Sequence, residues 1–444
     1  MNSGQVTPEF VRAFWRHARR RPAAPALLHD GTTVSYGELA RLAQACLTGP
    51  PGAGLAAETG PKSPGTIARI LAFLTQGRPV LLPPAGTSGT ALAELCQRGA
   101  SPPDGTCFVL TTSGSTGTPK LVPLPGSRVA RFVSWAARQF AIGPRSVVLN
   151  YAPLNFDLCL LDVWATLARG GSVVLVDPGR AVWPGYLGDL LASTCPTIVQ
   201  GVPLLYQVLA ERALSFGSAD HVILTGDHAP AALRQRLPGL FPAARCYNIY
   251  GCTETNDSFL HEFDPAQAGR LPALPIGQPL PGVRVRIGDD GELVVATPFQ
   301  APGYLGDDPA MRFDGDWFRT GDLVSRERSG LVYLTGRNDF QVKVRGTRVN
   351  LEQVEQVLAG ADAVLEAAAV AHDGRIHLAV RGRPGTALTP LAVRSLCTER
   401  LSLAMIPSSI AVVSAPLPRT VTGKVDRKRI LRDIAGTPAG TGHP

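Results

Sequence analysis

Phe10, Val11, Phe14 and Trp15 recur at helical spacing with arginine on the opposite face, which predicts an ordinary amphipathic helix. VSYGELA (34–40) reads as a short strand running into a helix start. A helix over 67–76 and an apolar run at 79–82 follow, with loops at 83–89 and 101–105. From residue 107 the pattern becomes regular. Apolar strands are predicted at 107–112, 146–154, 172–177, 196–202, 221–227 and 245–251, with helices between them, one of them over 160–171. Such alternation implies an α/β fold with a largely parallel sheet. Residues 282–297 read as a hairpin turning at Asp289-Asp290-Gly291.

Near Gly336–Asp339 the texture changes to a βαβ-like tail: a helix at 350–359, strands at 364–371 and 376–381, a helix at 390–402 and a strand at 410–413. We therefore expect a large N-terminal domain (1–338) of mixed and parallel sheets with helices, compressed near 83–111. A hinge joins it to a small α+β domain (339–434), and 435–444 are expected to be a disordered tail. No internal repeat is present.

The 444 residues carry a formal charge of +8, mostly as scattered arginine. No dense basic block with interleaved aromatics appears, so nucleic-acid binding is not expected. The eight cysteines show neither metal nor redox spacing, and no apolar run is long enough to span a bilayer. The N-terminus has no apolar core of a secretory signal, so a reduced, cytoplasmic protein is expected.

The candidate chemistry begins at the end of the 107–112 strand. Thr112, Ser113, Gly114, Ser115, Thr116, Gly117 and Lys120 form a polar, glycine-rich run closed by Pro-Lys. Two glycines let backbone N–H groups converge as an anion nest, hydroxyls add donors and the lysine adds charge. The run is not a Walker A loop. It resembles the glycine-rich signature of adenylate-forming enzymes, the family of acyl-CoA synthetases, luciferases and nonribosomal peptide synthetase adenylation domains. That resemblance implies a loop holding the β- and γ-phosphates of ATP. The usual glycine after the lysine is Leu121 here.

Further segments match the same family in the same order over nearly the whole chain. VSYGEL (34–39) resembles its early structural motif. Asn248-Ile249-Tyr250-Gly251-Cys252-Thr253-Glu254-Thr255 resembles YGxTE, with Cys252 where proline is usual. By the resemblance, Asn248, Tyr250 and Gly251 contribute to the nucleotide site with Tyr250 stacking on adenine. Thr253 contacts the α-phosphate and Glu254 holds Mg²⁺, a cation that prefers carboxylate and phosphate oxygens. Thr225-Gly226-Asp227 stands where family members line their pockets. Asp322 in FRTGD and Arg337 in GRNDFQVK would bind ribose, Asp339 would be the hinge, and Lys424 in TGKVDRK would be the catalytic lysine. The implied reaction is in-line attack of a carboxylate on the α-phosphorus of ATP with loss of pyrophosphate. Charge neutralisation and positioning drive it more than acid–base groups do. Domain rotation about the hinge and transfer of the acyl group to a thiol then follow.

The loop Ala152–Leu158 bears on which acid is used. In amino-acid-activating members an aspartate follows this phenylalanine and binds the substrate ammonium; Asp157 occupies that place, although a helix N-cap is its alternative. The pocket would be lined by Leu158, Leu161, Gln200, Ile223, Thr225, Ile249, Asp257 and Ser258, with Asp257 either reading a second amine or hydroxyl or facing solvent. The phrases NFDL and GRNDFQVK are similar to those of D-alanine-activating members, so stereochemistry stays open. The resemblance implies a stand-alone activator of an amino acid in natural-product (nonribosomal peptide, antibiotic) biosynthesis. It uses ATP and Mg²⁺, loads a separate phosphopantetheine carrier protein and leaves room for a small activating accessory protein. An acyl- or aryl-CoA ligase and a non-catalytic nucleotide-binding protein are the alternatives.

Overall fold

The computed structural model describes residues 7–47, 54–112, 119–306, 312–337, 341–344, 347–372, 375–401, 405–420 and 423–435. It divides into two compact units. One comprises residues 1–286, 294–320 and 326–333; the other comprises 287–293, 321–325 and 334–444.

The first unit is built on a nine-stranded sheet. Edge to edge its strands are Gln278–Pro279, Asn256–Phe263, Arg245–Cys252, His221–Thr225, Ile198–Gly201, Val147–Asn150, Ser172–Leu175, Pro25–His29 and Thr32–Ser35. From Arg245–Cys252 to Pro25–His29 every pairing is parallel. The strands expected between 146 and 251 therefore lie in one sheet, while the one expected at 107–112 belongs to a second sheet; the near-continuous Val/Ile/Leu runs are the mark of strands covered on both faces. Two clusters cover it. One joins Phe10, Phe14, Phe108, Trp135 and Trp164; the other joins Leu187, Leu205, Tyr206, Leu237 and Phe241.

A second sheet in this unit runs Ala56–Ala57, Val80–Leu82, Thr106–Thr112, Lys120–Pro125, the last pair antiparallel. Its register sets Thr112 opposite Lys120. The helix at Gly89–Arg98 that follows the 83–89 loop was not evident in the sequence pattern. VSYGEL earns its structural place. Ser35 and Glu38 form a reciprocal capping box at the Tyr36–Ala45 helix. The fully buried Tyr36 hydroxyl donates to the carbonyls of Leu167 and Gly171, at 3.1 and 2.8 Å.

The second unit carries a three-stranded sheet. Val364–His372 pairs antiparallel with Arg375–Gly382, which pairs parallel with Ser409–Val413 through the helix Pro390–Arg400. Its core is Val354, Leu358, Ile376, Leu378, Val393 and Cys397. A helix over Arg427–Ala435 ends the described chain, so most of the expected disordered tail lies outside the described residues.

Candidate active site

In the first unit the candidate pocket residues cluster at the carboxyl ends of adjacent parallel strands, where open α/β sheets place their ligand crevices. Ile223 is in register with Gln200 on one side and Tyr247 on the other, and Thr225 is in register with Ile249. Leu161, Ile223 and Ser258 are fully buried, and Gln200 and Ile249 are 2% exposed. The Val147–Asn150 strand delivers the loop bearing Asp157 and the partly buried Leu158. That loop tightens into a short π-helix, Leu160–Ala165, then an α-helical turn, Thr166–Ala168. The N-cap position of this π-helix is Cys159, whose side chain makes no capping bond. Asp257 lies on the Asn256–Phe263 strand, partly buried, not on a solvent-facing loop. Burial and then the neighbouring Asp157 carboxylate push the Asp257 carboxyl well above the usual range.

The turn between Arg245–Cys252 and Asn256–Phe263 presents Thr253 and Glu254. Two features build it. A side chain at Gly251 would put its Cβ 2.4 Å from the Asn256 carbonyl oxygen, and Asn256 takes the left-handed conformation (φ 56°) that asparagine tolerates. Glu254 is 8% exposed and accepts a 2.7 Å hydrogen bond from the Tyr304 hydroxyl. Lys120 Nζ lies 4.7 Å from the centre of the same Tyr304 ring. Tyr304 thus joins two candidates that are 134 residues apart (254 − 120). Burial, then the Glu254 carboxylate, hold its hydroxyl protonated. Sequence reasoning missed Tyr304; its one signal was an aromatic after Gly303 in APGYLG. Beside Lys120, the buried hydroxyls of Thr111 and Thr112 have no hydrogen-bond partner among the described residues. Tyr250 packs edge-on against Phe259 at 5.9 Å, and the Asn248 amide donates to the Pro275 carbonyl at 2.8 Å. Ser113, Gly114, Ser115, Thr116 and Gly117 lie outside the described residues, as does Asp339.

In the second unit Arg337 and Asp322 pair at 2.5 Å, and Gly321 N donates to Glu292 at 2.9 Å. Lys424 is exposed. In the same unit, Glu352 is raised to about 7 by burial and then by Glu355, against the lowering pull of Arg427 and Arg337. A carboxyl raised on folding loses stability as pH climbs from its unfolded value toward its folded one. Glu352→Gln should therefore be more stable than the parent at pH 8, by about 1–2 kcal/mol, and equal to it below the ordinary glutamate range. Urea unfolding at both pH values measures this, and a gap that did not close in acid would contradict it.

Among the described residues, no three His, Cys, Asp or Glu side chains gather to hold a metal, and no helix is long and apolar enough to cross a membrane. The family profile "AMP-binding enzyme" matches residues 61–305. A D-alanine–D-alanyl carrier protein ligase of Staphylococcus aureus is 32% identical over a match covering 74% of this chain and 72% of that protein. Two solved structures share the fold. The O-succinylbenzoate coenzyme A synthetase of Bacillus subtilis, in complex with ATP and magnesium, aligns with TM-score 0.81 at 20% identity over 96% of this chain and 99% of the other. An amide bond synthetase of Marinactinospora thermotolerans aligns with TM-score 0.76 at 24% identity over 95% and 98%. The chain belongs to the AMP-binding, adenylate-forming enzymes and is a ligase of the AMP-forming acid–thiol class.

Proposed function

We propose that this ligase activates an amino acid as its aminoacyl adenylate, releases pyrophosphate, and passes the acyl group to the phosphopantetheine thiol of a separate carrier protein. The observation that supports adenylation best is the meeting of Lys120 and Glu254 on Tyr304, next to two buried threonine hydroxyls that lack partners among the described residues. Orphaned buried donors are costly unless a ligand satisfies them. A triphosphate supplies acceptors of the right kind, so the residues fit ATP.

The proposed roles follow from chemistry. Thr112 and Lys120, with the 113–117 loop, bind the departing phosphates, and Thr253 meets the α-phosphate. Glu254 is the protein ligand of Mg²⁺, which neutralises phosphate charge when bound; a magnesium ion commonly takes one carboxylate and completes its shell with phosphate oxygens and water. Tyr250, Asn248 and Gly251 hold the base, Asp322 and Arg337 the ribose, and Lys424 the reacting carboxylate, with Asp339 as hinge. Asp157 pairs with the substrate ammonium inside the pocket of Leu158, Leu161, Gln200, Ile223, Thr225, Ile249, Asp257 and Ser258. The carrier protein acceptor accords with the D-alanyl carrier protein ligase relative; a natural-product setting is part of the proposal alone.

Pyrophosphate exchange against a panel of α-amino, β-amino, diamino and aryl acids tests this reading. Exchange driven by one amino acid is the expected result. Exchange driven only by acids lacking an amine would move the protein to the acyl- or aryl-CoA ligases.

A further inference from the structure

Behind the loop that bears Asp157 lies a buried polar hub built from residues far apart in sequence. Lys62 is 8% exposed, yet its ammonium donates to no carboxylate. Its three hydrogen bonds go to three consecutive main-chain carbonyls, Asn150 at 3.0 Å, Tyr151 at 3.1 Å and Ala152 at 3.1 Å. An ammonium has three donors, so all are used. These carbonyls are the last of the Val147–Asn150 strand and the first two of the loop leading to Asp157.

The same loop is held from its other end. Fully buried Asp162 accepts from Asn150 Nδ2 at 3.3 Å and from Gln200 Nε2 at 2.9 Å. Gln200 Nε2 also donates to the Leu158 carbonyl at 3.1 Å, and Asn150 Nδ2 to that of Ala152 at 3.2 Å. Residues 150–152 and 158 are thus tied on either side of Asp157 to one buried lysine–amide–carboxylate network. The lysine stands just ahead of the Ser63 N-cap of the Pro64–Thr75 helix, 88 residues before its nearest acceptor in sequence.

We propose that Lys62 is a positioning residue for acid recognition. It fixes the Asn150–Leu158 loop so that Asp157 meets the substrate ammonium, and it does this through backbone carbonyls without touching substrate. The inference rests on the proposed role of Asp157. It reassigns Gln200 as well: the amide nitrogen expected to line the pocket is committed to Asp162 and Leu158, so Gln200 sets the loop more than it reads the substrate.

The test is steady-state exchange with Lys62→Met, which keeps the stem and deletes the donors, and with Lys62→Arg, which keeps donors. Misplacing a binding group by a fraction of its reach changes recognition of one substrate, so the acid KM should rise by up to about 10²-fold in Lys62→Met while the ATP KM stays within about two-fold. Lys62→Arg should recover part of the loss. Should the Met variant fail to fold, the wild type gives the same answer through pH. Burial holds the ammonium at about 8, amid Cys159, Asp162 and Asp177. The acid KM should climb as pH passes that value, with the ATP KM flat and the climb absent from Lys62→Arg. An equal rise in both KM values, or none in either, or a pH limb unchanged in Lys62→Arg, overturns the inference. Wild-type enzyme that exchanges with no amino acid sinks the Asp157 reading itself, a distinct result.

Discussion

Glu254→Gln is expected to lower amino-acid-dependent pyrophosphate exchange by about 10²–10³-fold, the scale of losing one charge-stabilising group at a reacting centre. Gln keeps the size of the side chain and can still accept from the Tyr304 hydroxyl, so the turn between the two strands should stand. What it loses is the negative charge proposed to hold Mg²⁺, and magnesium's preference for carboxylate over amide oxygen makes that loss specific. The variant should therefore need far more Mg²⁺ to reach half its maximal rate, while its thermal unfolding without ligand stays near the parent's. Tyr304→Phe is the companion. It releases one Glu254 oxygen and leaves the ring that faces Lys120, so its defect should be the smaller of the two. A Glu254→Gln enzyme with parental rate and parental magnesium dependence would remove Glu254 from the proposed site.

How far this site could be read from the sequence depends on how far apart its parts lie. The turn after Tyr250 was legible because its demands are local: a glycine where a side chain would strike Asn256, and then Thr and Glu two and three residues on. The strands over 107–251 were legible because strands buried on both faces read as apolar runs whatever their neighbours are. The Gly89–Arg98 helix was not, since only Leu95 of it is buried and its apolar pattern is correspondingly thin. Tyr304 and Lys62 escaped for another reason. Each acts on residues tens of positions away, and nothing in their own neighbourhood marks a tyrosine that will join Lys120 to Glu254 or a lysine that will spend its donors on carbonyls. Gln200 was found through the family's pocket pattern, while the partner of its amide, Asp162, sits in an apolar helix where nothing local marks it.

Asp157→Ala is expected to cut exchange with the cognate amino acid by about 10²–10³-fold in kcat/KM. Removing one partner of a desolvated charge pair costs about 3–5 kcal/mol, because the other charge is left buried and alone. The magnitude alone would not separate recognition from damage to the loop, since the loop is also held by Lys62 and Gln200. The choice of acid does separate them. A cognate analogue in which hydrogen replaces the amine has no charge to strand, so it should lose little or even gain in Asp157→Ala, and the preference for the amine should collapse. Asp157→Asn adds an electrostatic readout. Asp257 is raised first by burial and then by the Asp157 carboxylate, so loss of that charge should let the Asp257 carboxyl fall toward the ordinary range, while burial keeps it above. Carboxyl titration of the empty enzyme by NMR follows that fall directly. Should both acids lose equally in Asp157→Ala, the aspartate shapes the loop without reading an amine, and the search for the substrate must turn to acids that carry none.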